Sequence, residues 1–536
     1  MSSITRRDLL AGTAGLATAA AFGRSATAQG AAPQPKRGGT LTGTWGGFEP
    51  QALFVPPGGG SSPYFTSTKI HERLLTLDND LNFVPVLALD VSPSEDFRSY
   101  RVKLRPNVKW HDGKPLTAED IVFNALQYWK PLSAGIALKA LVGAEAVDAT
   151  TALLKFDSPL PEFFLKSILA GKAGLVIPKH VYEGRDILTN PANNAPVGTG
   201  PFTFKEWVRG SHVELVRNED YWDAPRPYLD RLVIRWWRDP ASRSAAFEAG
   251  QLDLGVFNPT PAPDIKRLVD TRRFTATTRG YDNSSWVSTI EFNSRRDIVR
   301  RPDVRKAINL AIDRQFIADT IFFGLAKPAS GPIPSTNKLF FDPRQKPYAF
   351  DLAEAGRLLD AAGFPKKRGG RFKVNLVAAG WFEENVKLGQ YVRQALEDLD
   401  LEVDLAIPDR ATSFKRIYTD YDYDIALSNN SGTVELVPEW TRFVTTDNII
   451  KGGAFRNATG HSDPKLDGIV EKLSTEISPE RRAALAREFQ ENLAATLPWT
   501  ALVEIQSTTI ARADVRGHSQ TADFLGDSWA GLWLDR

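Results

Sequence analysis

Val197-Gly198-Thr199-Gly200-Pro201-Phe202, continued by Thr203-Phe204-Lys205, Val213-Glu214-Leu215-Val216 and Asn218-Glu219-Asp220-Tyr221-Trp222, is the stretch on which the fold reading turns. Its glycines suggest a phosphate loop, and spacing excludes one. Neither GxGxxG nor GxxxxGK followed by Ser or Thr can be written over Gly198 and Gly200, because Pro201 and Phe202 come next. The run reads instead as a glycine-flanked turn opening two alternating strands joined around Gly210. Leu232-Val233-Ile234-Arg235-Trp236 adds a strand, and residues 242–249 a short helix closed by Gly250. Strand and helix alternating in one run, 196–253, define an α/β chain.

The pattern continues on both sides. Upstream, Tyr100-Arg101-Val102-Lys103-Leu104 alternates as a half-buried strand, His111-Asp112-Gly113 makes a turn, and Thr117-Ala118-Glu119-Asp120 caps a helix. Downstream, Pro302, Val304, Ala307, Ile308, Ala311, Ile312 and Phe316 predict one helix over 302–316, stopping near Gly324. Asp351 caps a helix ending at Gly363, and Ser478-Pro479-Glu480 starts the last long one. The strand 372–377, a helical stripe through Leu388, Val392 and Leu396, and the strand 401–405 form a parallel strand-helix-strand unit.

Composition narrows the function. The 536 residues allow about three to four domain-sized units. There is no cysteine, which removes disulfides, thiolate metal sites, thiol catalysis and a lipid-modified N-terminal cysteine. Thr5-Arg6-Arg7-Asp8-Leu9-Leu10 with Ala26-Thr27-Ala28 reads as a twin-arginine export signal over 1–28, followed by a linker at 29–37. Residues 1–28 hold three of the 66 basic and one of the 64 acidic residues, so the remainder carries 63 of each. A neutral exported chain gives no footing for nucleic acid or an anionic membrane. HExxH and GxSxG are absent, no two of the six histidines stand at helical metal-ligand spacing, and Asp420, Asp422 and Asp424 lack the glycine and glutamate of an EF-hand loop. No cofactor is expected.

Taken in order, Tyr100 to Arg105, Lys109-Trp110-His111-Asp112-Gly113, Thr117 to Asp120, Gly198-Thr199-Gly200-Pro201-Phe202, Asn218 to Trp222, Arg305-Lys306-Ala307-Ile308 with Ala311-Ile312-Asp313-Arg314, and Ala361-Ala362-Gly363-Phe364 resemble the extracellular solute-binding proteins of ABC importers, in the large peptide/opine/nickel-type family, family 5. The resemblance implies a two-lobed α/β periplasmic-binding-protein fold of type II-like form, with an extra subdomain at about 81–195 in the first lobe. Lobe I would span 38–281, lobe II 282–503, and 504–536 would return to lobe I, with a hinge near Asp282 and Val503. The implied role is capture of a small solute and its delivery to an ABC permease in the inner membrane, by a periplasmic monomer that is not lipid-anchored.

In peptide-binding relatives an aspartate just after the strand matching 424–427 holds the peptide amino terminus, and dipeptide-binding relatives place an arginine after the strand matching 373–379. Here those places read Ser428-Asn429-Asn430-Ser431-Gly432-Thr433-Val434-Glu435 and Gly380-Trp381-Phe382-Glu383. With both anchors replaced, the expected ligand residues are Trp45, Trp381, Phe382, Asn429, Asn430 and Glu435. Aromatic faces with amides suit an opine-like or sugar-derived solute, or an oligopeptide held through its backbone. The competing readings are an exported α/β hydrolase or lyase, and a non-transport receptor or chaperone. Against the first, paired acids such as Glu383 and Glu384 at a helix start serve the helix dipole.

Overall fold

Residues 33–54, 61–134, 137–237, 239–380 and 382–536 are described by the structure, a computed structural model. The export signal at 1–28 and Trp381 lie outside the described residues. Among those described, no helix is long and apolar enough to cross a membrane.

Two large sheets centre the two lobes. The first has seven strands in the order Phe274–Thr277, Thr509–Arg512, Leu254–Val256, Thr40–Trp45, Arg231–Arg235, His212–Arg217 and Phe202–Val208. Thr40–Trp45 is parallel to both neighbours. The second runs Ala326–Pro328, Trp499–Ile505, Ser285–Phe292, Ile425–Gly432, Lys373–Ala378 and Glu402–Ala406. Its last two strands are parallel, with the helix Glu383–Glu397 between them in sequence. A four-stranded antiparallel sheet, Ala88–Pro93, Ser99–Leu104, Thr151–Phe156 and Leu141–Asp148, forms the extra subdomain.

Local chemistry explains most of these elements. In Ser99–Leu104, Tyr100, Val102 and Leu104 are buried while Arg101 and Lys103 face solvent, as a half-buried strand requires. Asp351 and Ser478 each accept a backbone N–H at their helix start, from Glu354 and Arg481. The single helix expected over 302–316 is two pieces: Pro302–Leu310 ends, and Asp313 caps a new start by accepting from Gln315 and Phe316. The cause is Arg314, buried, whose guanidinium donates to the Asn309 carbonyl at 2.9 Å and the Asn309 amide oxygen at 2.8 Å. It satisfies an end that would otherwise continue the helix. Phe316 is exposed and stacks on Tyr391, off the buried stripe.

The opening stretch is a structural joint. A Cβ on Gly198 would fall 1.9 Å from the Ile70 carbonyl oxygen, and one on Gly200 2.6 Å from it, so only glycine admits the two backbones this close. His111 clamps the joint: its ring lies 3.0 Å from the Gly200 carbonyl through Nε2, and Nδ1 accepts from Gly198 N–H at 3.3 Å. Burial lowers its pKa to about 4, in keeping with a neutral ring. Asp112 bonds His180 at 2.7 Å. Nearby, buried Glu72 accepts from Tyr221 (2.7 Å), Trp222 (3.0 Å) and Thr199 (2.9 Å), gathering the aromatic corner onto one carboxylate.

Between the two large sheets the chain crosses at 278–284 and at 506–508. The crossings are stitched together: Tyr281 hydroxyl lies 2.7 Å from Thr509 Oγ1 and accepts from Phe257 N–H at 2.9 Å, while Asn258 Oδ1 accepts from Thr508 N–H at 2.9 Å.

Candidate functional site between the lobes

Trp286 stands at the second position of Ser285–Phe292, just past the first crossing, and its ring centroid is 5.2 Å from that of Phe257 on the opposite side. Two cavities meet at this indole, one of about 350 Å³ and one of about 390 Å³, and Trp286 lines both. Volumes of this size hold a small organic solute.

The first cavity is walled by Phe48, Phe257 and Ile265 from one lobe and Phe323, Phe382 and Asn429 from the other. Its floor depends on an unusual backbone: Phe257 and Asn258 both have positive φ, 58° and 52°, a costly conformation for a bulky residue. A Cβ on Gly46 would lie 2.0 Å from the Phe257 carbonyl oxygen, so the chain after Thr40–Trp45 passes directly over this turn. Glu383 and Glu384, in the first turn of their helix, also reach this cavity.

The second cavity takes Tyr64, Ser167 and Lys172 from the lobe I side, and Ser431, Thr433 and Arg442 from the other. Because side chains alternate along a strand, Asn429 and Ser431 share a face of Ile425–Gly432 that runs from one cavity to the next. Trp286 pairs with Ser431 and Ser288 with Asn429 across the ladder, and Ser288 Oγ donates to Asn429 Oδ1 at 2.9 Å.

The expected ligand residues separate on this map. Phe382 and Asn429 line the first cavity. Glu435 lines the second, but its carboxylate is engaged: Arg482 approaches at 2.7 Å and 3.3 Å, and Leu436 and Val437 N–H donate at 2.9 and 3.1 Å. Burial pushes Glu435 upward in pKa against the pull of Arg482. Trp45 ends its strand in the core between Phe65 and Phe257, behind Gly47, so it backs the first cavity without lining it. Asn430 points to the other face of the sheet, where its amide donates to Thr289 at 2.8 Å and to the buried Glu291 at 3.1 Å. Trp381 lies outside the described residues.

Sequence reasoning missed Trp286, and it missed the cations Lys172, Arg442 and Arg456 of the second cavity. Trp286 carried one usable signal: it follows the polar run Asn283-Ser284-Ser285 at the lobe crossing. Among the described residues, the group spaced to hold a metal ion is Glu206, His212 and Glu214, but Lys205 and Arg231 already engage Glu214 at 2.8 and 3.3 Å.

Two sheet-centred lobes crossed twice by the chain, with cavities between them and a subdomain on one side, define a periplasmic-binding-protein architecture. The family model for bacterial extracellular solute-binding proteins, family 5 Middle, matches residues 82–447. Protein XP55 of Streptomyces lividans is 27% identical over 473 residues, covering 87% of this chain and 82% of that protein. The glutathione-binding protein GsiB of Pectobacterium atrosepticum is 26% identical over 452 residues, covering 80% and 82%. Among solved structures, AgaA from A. tumefacien R10 in complex with agropinic acid superposes with a TM-score of 0.77 at 23% identity, over 93% of this chain and 99% of that one. The chain belongs to the family 5 bacterial extracellular solute-binding proteins and is the solute-binding component of an ABC importer.

Proposed function

We propose that the protein captures a small polar solute, an oligopeptide, opine-like or sugar-derived compound, in the space between its lobes where Trp286 separates two cavities. The observation that carries this reading is the continuous face of Trp286, Asn429 and Ser431 opening into both cavities. An indole provides a flat apolar surface, and the amide and hydroxyls orient polar groups laid on it. Phe382 and Asn429 are ligand contacts in this reading; Trp381, next to Phe382, joins them as a candidate; Trp45, Asn430 and Glu435 support the walls.

Closure is the second half of the proposal. Lobe I, expected at 38–281 with 504–536, and lobe II, expected at 282–503, rotate about the crossings at 278–284 and 506–508, with Glu504 and Ile505 staying in the strand Trp499–Ile505 of the second sheet. Turning a mostly open population into a mostly closed one requires about a 10⁴-fold preference of the solute for the closed form. The closed form is then what the inner-membrane permease recognises. The setting is the periplasm, reached through the twin-arginine signal, with no lipid anchor and with the protein acting as a monomer. Glutathione and agropinic acid, named for two relatives, guide the choice of first ligands.

The test is calorimetric titration of the exported protein with such solutes, alongside Trp286→Leu. Binding that depends on Trp286 supports the reading, and tight binding indifferent to it refutes the site. Turnover of any bound solute would favour the hydrolase reading.

A further inference from the structure

We propose that the hollow between residues 277–279 and 515–520 is a second binding site, for a tetrahedral oxyanion of the phosphate class, either the free ion or a monoester of a small alcohol. It shares no lining residue with either interlobe cavity, so it stands apart from the site of solute capture.

The hollow forms where the first lobe crossing meets the last part of the chain. The strand Phe274–Thr277 leads into the crossing at 278–284, and Val515–Arg516 follows the neighbouring strand Thr509–Arg512. Gly280 lets the two segments touch: its φ is 98°, and a Cβ there would lie 3.0 Å from Phe524 Cβ and 3.1 Å from the Thr521 carbonyl oxygen. They enclose about 290 Å³. That exceeds a bare tetrahedral ion, which leaves room for the alcohol part of a monoester.

Its charge is one-sided. Arg279, Arg516 and His518 line it, and among the described residues no acid does. The Arg279 guanidinium has no hydrogen-bond or ion-pair partner among the described residues; its backbone N–H donates to Thr277 Oγ1 at 3.1 Å. Arg516 gives Nη1 to the Ala513 carbonyl at 2.8 Å, while its Nη2 reaches Asp535 only at 3.5 Å. Lys36 holds that carboxylate more closely, at 2.8 Å. Arg516 therefore keeps donors to spare. A concave surface lined by one sign of charge concentrates counter-ions, and guanidinium forks match pairs of oxyanion oxygens.

The frame around these donors is fixed. Val515 and Arg516 pair with Leu534 and Trp533. Ser519 is buried at a φ of 57°, a backbone conformation uncommon outside glycine, and Asn79 holds it there by donating to its carbonyl at 3.1 Å. The Ser519 hydroxyl lies 3.2 Å from His518 Nδ1, and Gln520 Nε2 donates to the His518 carbonyl at 3.0 Å. Burial and the neighbouring Arg516 keep His518 below its ordinary pKa, so near neutrality the ring is a neutral hydrogen-bonding group and the two guanidinium groups supply the charge. An ion held by both arginines ties the first crossing to the strand pair Val515–Arg516 and Trp533–Leu534.

The test titrates the exported protein with inorganic phosphate, sulfate and glycerol 3-phosphate, against chloride at the same ionic strength, by calorimetry and thermal shift. Wild type is compared with Arg279→Gln and Arg516→Gln, with Arg300→Gln as a control at an exposed arginine elsewhere, and with Trp286→Leu. The expected result is saturable binding of phosphate or its monoester, about tenfold or more weaker in either site variant and unchanged in Arg300→Gln and Trp286→Leu. Tighter binding of glycerol 3-phosphate than of phosphate makes the monoester the ligand, and the reverse order makes it the free ion. No saturable binding, or an equal response to chloride, overturns the proposal. So does binding indifferent to both site variants, or weakened as much by Arg300→Gln. Binding that Trp286→Leu abolishes places the ion between the lobes and overturns the second site while leaving the interlobe reading standing.

Discussion

Trp286 and Phe257 face each other with ring centroids 5.2 Å apart, one on the strand leaving the lobe crossing and the other on a left-handed turn of the opposite lobe. This contact joins the two lobes where the two cavities meet. Replacing Trp286 with alanine should weaken solute binding about thirtyfold or more, the range of a central aromatic anchor. The indole is only partly buried and makes a smaller contribution to the fold, so calorimetry should record the lost affinity while the melting temperature falls only a little.

Glu435 lines a cavity yet serves the fold. Its pair with Arg482 is nearly solvent-free on both sides, with 3% side-chain exposure each. Glu435→Ala leaves a buried guanidinium unpaired and should cost about 3–5 kcal/mol. Glu435→Leu combined with Arg482→Leu should recover most of that loss. Chemical denaturation of the three proteins checks both statements.

The glycine turn makes an equally sharp demand. Gly198→Ala would drive a methyl to 1.9 Å from the Ile70 carbonyl oxygen, and rigid backbone on both sides cannot give way. A loss of about 1–3 kcal/mol is expected, with the His111 clamp loosened. Denaturant melts measure the first effect, and the NMR tautomer signature of His111 reports the second.

Glu72 predicts a pH dependence of defined sign. Burial raises its carboxyl from 4.5 to about 7, so between those values the folded chain holds a proton that the unfolded chain has released. Its contribution is fully present below about 4.5 and is lost as pH rises toward 7. Glu72→Gln cannot ionise. The stability difference should therefore move in the variant's favour over that window by on the order of 3 kcal/mol. Urea melts of both proteins across the window decide it.

Much of the fold was legible because its signals are local. Asp351, Ser478 and Thr117 announce their helices through chemistry within a few residues, and the alternation at Tyr100 to Leu104 is visible in the letters alone. The break at Ala311 to Asp313 was not, because it depends on buried Arg314 turning back onto Asn309. The site was less legible for the same reason. Period-two alternation puts Asn429 and Asn430 on opposite faces, but which face meets solute depends on the partner strand Ser285–Phe292. Glu435 looked free because the Arg482 that neutralises it lies 47 residues away. Trp286 was one tryptophan among 13 until the second lobe supplied Phe257 and the two cavities.

Crystals of the protein grown with its tightest-binding solute give the decisive measurement. Solute electron density should lie against Trp286 and touch Asn429 and Ser431. Density on an outer surface, or a solute that leaves Trp286 untouched, overturns the interlobe site.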